Sequence, residues 1–224
     1  MAGDAGPDRS FAEALDAGAL ASLRAAGVRR TWPAGAVLFR EGDRPDRVLI
    51  LESGTVKCVT TSAGGVERIL ALRTAGDVLG ELGVADRGPR SATAIAATPV
   101  EALAITADRF RAFLTEHPAA TLELLTIAIG RLRDADRQRA EFGSTETTTR
   151  LARALAELAR THGRPVQAGV RLELLSQEDL AALCGSSREA VSRALGALRS
   201  AGLVATGRRA VTILDLAGIE RWAV

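Results

Sequence analysis

From Gly185 to Arg199 the chain reads GSSREAVSRALGALR, and its polar groups are spaced to share one side of a helix. Arg188 and Ser192 are four residues apart, as are Glu189 and Arg193, and such neighbours meet on one helical face. That face offers two guanidinium forks, a carboxylate and a hydroxyl. A guanidinium grips guanine O6 and N7 through two hydrogen bonds, and a carboxylate accepts from cytosine N4. This is chemistry suited to reading base edges in a DNA major groove. On the opposite side Val191, Ala194, Leu195 and Leu198 fall at i, i+3, i+4 and i+7, the spacing of a buried stripe. Glu189 also has a local reading: Ser186 stands three residues before it, which predicts a capping box at the start of this helix.

A second group lies in DVLGELGVADRGPRSAT, residues 77–93. Gly80 lets a backbone approach a ligand closely, amides at a helix start face an anion, and Arg90 supplies opposing charge. Glu81 is placed to accept from a ribose hydroxyl. The same residues also fit a surface turn with an incidental Glu–Arg pair, and local physics leaves both readings open.

The elements that must position these groups follow from the pattern. Residues 11–32 read as a short helical lead-in. From Ala34 to Thr106 short β-rich runs alternate with glycine turns: 36–39, 47–52, 55–61, 66–72, 91–98 and 100–106. Many short strands with regular turns predict a closed antiparallel sandwich or roll. Helical spacing resumes at Ala107, and Pro118 suits the first turn of a long helix ending near Phe142. Leu122, Leu125, Ile129 and Leu132 make a seam at threes and fours, turning polar at Asp136 and Arg139. A second copy would cover that seam, whereas packing on the chain's own roll is the alternative. Gly143-Ser144-Thr145 reads as a hinge, followed by another amphipathic helix, the run VRLELL, a helix-turn-helix, and a hairpin with Arg208 and Arg209 near its tip.

Composition narrows the function classes. The 224 residues are 47% hydrophobic and 25% charged, ordinary for a globular chain of one large or two small domains. Net charge is only +2, but residues 144–224 hold 11 basic against 8 acidic side chains. Two cysteines, Cys58 and Cys184, and two histidines, His117 and His162, give no disulfide framework, iron–sulfur cluster or histidine-built metal centre. That argues against a cupin-like β-roll enzyme and against a haem or iron–sulfur sensor. No catalytic or metal-ligating residue is assigned. No membrane span or secretory signal is apparent, which predicts a cytoplasmic protein.

The block GELGVADRGPRSAT is similar to the phosphate-binding cassette of cyclic-nucleotide-binding domains. Together with SSREAVSRAL it makes nearly the whole chain resemble the cyclic AMP receptor protein and FNR (Crp/Fnr) family of bacterial transcription regulators. The resemblance implies an α+β fold: a cyclic-nucleotide-binding β-roll (jelly roll) at 1–117, a dimerisation helix at 118–143, and a winged helix-turn-helix at 144–224. It implies that Gly80, Glu81 and Leu82 line a cyclic phosphate and ribose, that Arg90 pairs with the phosphate, and that Ser91 bonds a phosphate or base oxygen. Cys58, Leu70 and Ala71 would wall the pocket, and Arg131 would reach toward Glu81. The family's base-binding threonine and serine are here Ala135 and Asp136, so Asp136 would accept from a base amino group. No cofactor is expected, and the effector is cyclic AMP or another cyclic nucleotide.

For DNA, the resemblance implies that Arg188, Glu189 and Arg193 read a TGTGA-like half-site of a palindrome, with Ser192 on the same face. Ser176, Gln177 and Ser187, at helix starts, would hold phosphates, which position without specifying. RNA polymerase is a candidate partner. The expected protein is therefore a homodimeric, effector-controlled DNA-binding regulator. An effector-independent regulator with a vestigial pocket is the alternative.

Overall fold

The computed structural model describes residues 9–62, 65, 67–141, 146–173, 176–207 and 210–223. They fall into two compact units, divided in sequence between Ala135 and Asp136. Arg208, Arg209 and the expected hinge at residues 143–145 lie outside the described residues.

The first unit opens with two helices, α1 (Phe11–Ala14) and α2 (Ala17–Ala26). Asp16 separates them by capping α2, its Oδ1 accepting from Ala19 N at 2.8 Å. The helical lead-in does not continue to residue 32. At Gly27 any side chain would run into Leu103 and Ile105, so the backbone lies close on the sheet, and Val28–Trp32 forms strand β1. Its register with a later strand runs from Val28↔Ala104 to Trp32↔Val100. Pairing on the sheet thus overrides the helical pattern that precedes it.

The remaining strands are β2 (Val37–Phe39), β3 (Arg47–Ser53), β4 (Val56–Thr61), β5 (Glu67–Arg73), β6 (Val78–Leu79), β7 (Thr93–Ala96) and β8 (Val100–Thr106). Helix α3 (Glu81–Asp86) follows β6, and α4 (Ala107–Glu116) and α5 (Pro118–Glu141) follow β8. Two antiparallel sheets result, ordered β1-β8-β3-β6 and β2-β7-β4-β5. This is the expected roll. Its interior holds Leu49, Leu51, Val56, Leu79, Ala94, Ala96, Val100 and Ala102. The alternate residues of β3, Val48 and Ile50, point the other way, into a cluster with Phe11, Leu23, Phe110, Phe113 and Leu124. Strand side chains alternate between faces, so β3 reads as an unbroken apolar run because both its faces are covered.

Helix α5 places Ala120 and Leu124 in that second cluster. Its seam residues are uncovered: Leu122 is 65% exposed, Leu125 53%, Ile129 41% and Leu132 58%. Self-packing therefore accounts for a different stripe of α5 than the one the sequence singles out.

The second unit contains α6 (Thr147–His162), β9 (Arg164–Val166), β10 (Gly169–Glu173), α7 (Gln177–Cys184), α8 (Arg188–Ser200), β11 (Val204–Gly207), β12 (Ala210–Ile213) and α9 (Leu216–Trp222). The expected hairpin β11–β12 is part of a four-stranded antiparallel sheet ordered β11-β12-β10-β9. Burial of Leu151, Leu155 and Leu158 on α6 with Val191, Ala194, Leu195 and Leu198 on α8 builds this unit's core. Each fully buried leucine or valine stabilises it by roughly 1.5–3 kcal/mol. No helix among the described residues is long and apolar enough to cross a membrane.

Candidate functional site

In the roll, Gly80 ends β6 with φ at +77°, a conformation glycine adopts without steric cost, and serves as N-cap of α3. A side chain there would collide with the Arg90 guanidinium. Arg90 is 3% exposed. Its Nη1 donates to the Gly80 carbonyl at 2.9 Å and its Nη2 to the Arg47 carbonyl at 2.6 Å. Asp46 Oδ1 lies 3.5 Å from Nη2, and the guanidinium carbon stands 4.3 Å over the Phe39 ring. Burial lowers the pKa of this guanidinium, opposed by the nearby Asp46 charge. A buried cation held mainly by carbonyl oxygens and an aromatic face keeps much of its field for an incoming anion.

Glu81 is 5% exposed and accepts from Arg131 Nη1 at 2.6 Å. Arg131 Nη2 donates to the Val78 carbonyl at 3.3 Å and lies 3.6 Å from Asp77 Oδ1. The long helix thus reaches back to the cassette through Arg131, the contact that the family resemblance implies. Cys58 pairs with Ala71 across β4 and β5, and both are half-buried. Burial pushes the Cys58 thiol up to about 11, so it is protonated and uncharged at neutral pH. Leu82 and Ser91, within the cassette, are exposed.

Leu70 departs from its expected place. It is the extra, unpaired residue of a bulge in β5, between Ile69 and Ala71, which pair with Val59 and Cys58, and it is 45% exposed. Asp136 is exposed and belongs to the second unit. The sequence reading missed Phe39, Asp46, Arg47, Arg73 and Asp77. Arg90 uses Arg47 through its backbone carbonyl, which no residue type announces.

In the second unit, α7 starts with a capping box. Ser176 Oγ accepts from Asp179 N at 3.1 Å, and Asp179 Oδ2 accepts from Ser176 N and Oγ, both at 2.9 Å. Gly185, with φ at +57°, ends α7. The cap of α8 is Ser187, whose Oγ accepts from Ala190 N at 3.2 Å. The capping box expected from Ser186 is therefore absent, because the glycine turn starts the helix one residue later.

Arg188, Glu189, Ser192 and Arg193 are all exposed, and with Gln177 they line one open concavity of about 350 Å³. Arg188 Nη1 lies 3.1 Å from Glu178 Oε1, with both side chains more than half exposed, a pair that water or an anion readily exchanges. The Glu189 carboxyl lies below the usual carboxylate range, first through its own backbone N–H, then through the Ser187 hydroxyl and the two flanking arginines. It is a carboxylate at neutral pH. The arrangement is a polar face on a rod whose other side, Val191 to Leu198, is locked in the core.

A further cluster fixes that rod. Arg150, in the first turn of α6, donates from Nε to the Cys184 carbonyl at 3.0 Å and from Nη2 to Ser186 Oγ at 2.6 Å. Thr147 Oγ1 stands 3.1 Å from Ser186 Oγ. The turn between α7 and α8 is thereby latched to the start of α6. Nothing in the spacing of residues 147–150 announces this, since its partners lie more than thirty residues away.

Comparison with known proteins gives the same two parts. Residues 29–117 match the family described as cyclic nucleotide-binding domain, and residues 149–222 match the Crp-like helix-turn-helix domain. The chain is 35% identical over 195 residues to a cyclic AMP receptor protein of Thermus thermophilus, covering 87% of this chain and 88% of the relative. It is 32% identical over 193 residues to a CRP-like cAMP-activated global transcriptional regulator of Mycobacterium tuberculosis, covering 86% of each. Among solved structures, the c-di-GMP-responsive global regulator CLP of Xanthomonas campestris matches with a TM-score of 0.77 and 26% identity, covering 89% of this chain and 100% of that one.

Proposed function

Since this chain belongs to the Crp family of DNA-binding transcription regulators, with a cyclic-nucleotide-binding domain ahead of its helix-turn-helix, we propose that it is a homodimer whose winged helices read a palindrome under control of a small anionic effector. Arg188, Glu189 and Arg193 touch base edges of TGTGA-like half-sites, with Ser192 beside them. Ser176, Gln177 and Ser187 lie against phosphates. Two-fold symmetry sets the half-sites roughly one helical turn, ~34 Å, apart. The observation that carries this reading is the outward polar face of α8, held by four buried side chains on its other side.

The working division is a sensing segment at 1–117, a coupling helix at 118–143 and a reading segment at 144–224. Arg90 takes the effector's phosphate by exchanging a carbonyl partner for it, and Gly80 keeps backbone from standing between them. Glu81, held by Arg131, accepts from a ribose hydroxyl, with Leu82, Ser91, Cys58 and Ala71 around the ligand. A ligand bridging cassette and long helix shifts the population of DNA-competent dimers only as far as its affinities for the two states differ. The cytoplasm is the expected compartment, and RNA polymerase is a candidate partner on the promoter.

The test is calorimetric titration of cyclic nucleotides into wild type and Arg90→Ala, with thermal midpoints measured alongside, since a ligand of the folded form raises the midpoint. The variant should lose nucleotide binding while unfolding cooperatively. Unchanged affinity in Arg90→Ala would remove this site from the reading.

A further inference from the structure

The inner face of the roll carries a guanidinium that the phosphate cassette does not use. Arg73 ends β5 in register with Val56, and residues directly opposite in an antiparallel pair share a face. Val56 is fully buried in the roll interior, so Arg73 starts out toward the inside, on the same side as Ala71 and Cys58. Arg73 is half-buried, and its Nη1 donates to the Leu72 carbonyl at 3.0 Å. Among the described residues no carboxylate forms an ion pair with it. The two nearby carboxylates, Asp77 and Glu81, are both engaged by Arg131 instead. Burial, and then the Arg131 charge, lowers the pKa of the Arg73 guanidinium, as expected of a cation short of acceptors. Five N–H groups in a planar fork, with one bonded to a carbonyl, suit a partner that presents two acceptor atoms side by side.

From this we infer that Arg73 is a specificity-determining residue of the roll: it takes a bidentate acceptor edge of the effector, additional to the phosphate at Arg90. The inference rests on the reading of the roll as a nucleotide site. Two parts of a nucleotide present such an edge. One is guanine, through O6 and N7, and the other is a second phosphate. Adenine does not, because its N7 acceptor stands beside an amino donor that would face the guanidinium donors. On the same side of the sheet Ala71 has no polar side-chain atom and the Cys58 thiol is protonated and only a weak donor, so neither competes for the base. An effector with a guanine base or two phosphates is therefore selected over cyclic AMP.

Four probes separate the sources: cyclic AMP has neither edge, cyclic GMP the guanine edge, cyclic di-AMP a second phosphate, and cyclic di-GMP both. Each is titrated calorimetrically into the full-length protein and its Arg73→Met, Arg73→Lys and Arg90→Ala variants. At least one acceptor-bearing ligand should bind wild type tenfold or more tightly than cyclic AMP, and Arg73→Met should erase that preference. Arg73→Lys should not restore it, because a point charge lacks the fork. Preference for cyclic GMP but not cyclic di-AMP assigns Arg73 to guanine, and the reverse assigns it to phosphate. A preference that persists in Arg73→Met, or cyclic AMP binding tightest to wild type, overturns the inference. If affinities fall in Arg90→Ala but not in Arg73→Met, the nucleotide site stands and only the Arg73 assignment falls. If none of the four binds wild type, the nucleotide reading itself fails.

Discussion

Changing Leu125 and Leu132 to aspartate should turn the proposed dimer into monomers. Full burial of a leucine is worth roughly 1.5–3 kcal/mol. In the single chain these two side chains retain 53% and 58% of their exposure, so covering each with a second copy contributes roughly 1 kcal/mol. Two positions on each of two protomers give roughly 4 kcal/mol, about three powers of ten in the dissociation constant. Aspartates facing one another across a two-fold axis add repulsion and desolvation, so a thousandfold weakening is the lower bound. Sedimentation velocity across a concentration series, with circular dichroism on the same samples, reads association and folding separately. The fold should survive, because neither leucine sits in the chain's own core. A dimer of unchanged affinity in the double variant would refute the seam and the two-fold arrangement that rests on it.

Arg193→Ala should cost ~1–3 kcal/mol of specific DNA affinity and relax one base position, read by binding-site selection; uniform weakening on every sequence would contradict base contact. Arg150→Ala removes the latch on the α7–α8 turn, and hydrogen bonds to a charged group are worth about 1.5–3 kcal/mol each. A drop of that order in thermal stability, with a blurred footprint and little rescue by lysine, is expected; a wild-type footprint would make the latch incidental. Burial pushes the Cys58 and Cys184 thiols up to about 11 and about 12 from an ordinary 9.0. Both favour the protonated, folded form, so their stabilisation is present below pH ~9 and is lost as pH rises toward 11 and 12. With no tyrosine and one lysine in the chain, few other side chains titrate there. Denaturant midpoints should fall over that range and flatten in the double alanine variant; a flat wild-type profile would deny the burial.

The outward polar face of α8 was legible because its signal is local. Val191, Ala194, Leu195 and Leu198 declare a buried stripe within two turns, and the opposite face follows by subtraction. The Ser186–Glu189 spacing points to a cap one residue too early, and the left-handed turn at Gly185 makes Ser187 the cap instead. In the roll the Arg131–Glu81 pair spans fifty residues and was accessible only through family resemblance. Leu70 illustrates a limit of period-two patterns: Ile69 to Leu72 is apolar throughout, so nothing in the run says which side faces inward. The bulge that leaves Leu70 unpaired between the partners of Val59 and Cys58 sets that register. Strand β1 hid because Val28 to Thr31 are all exposed, leaving an edge strand with no buried alternation to betray it.

The doubly sealed strand β3 has a consequence for how variation is tolerated. Leu49 and Leu51 lie in the roll interior, while Val48 and Ile50 pack against the helices behind it. A ribbon clamped in this way has no slack direction, since close-packed interiors transmit displacement instead of absorbing it. Enlarging or shrinking any of these four residues is felt at once in the roll interior or its helical backing, so variation is absorbed more readily at β5, the edge strand of its sheet, where one flank is open.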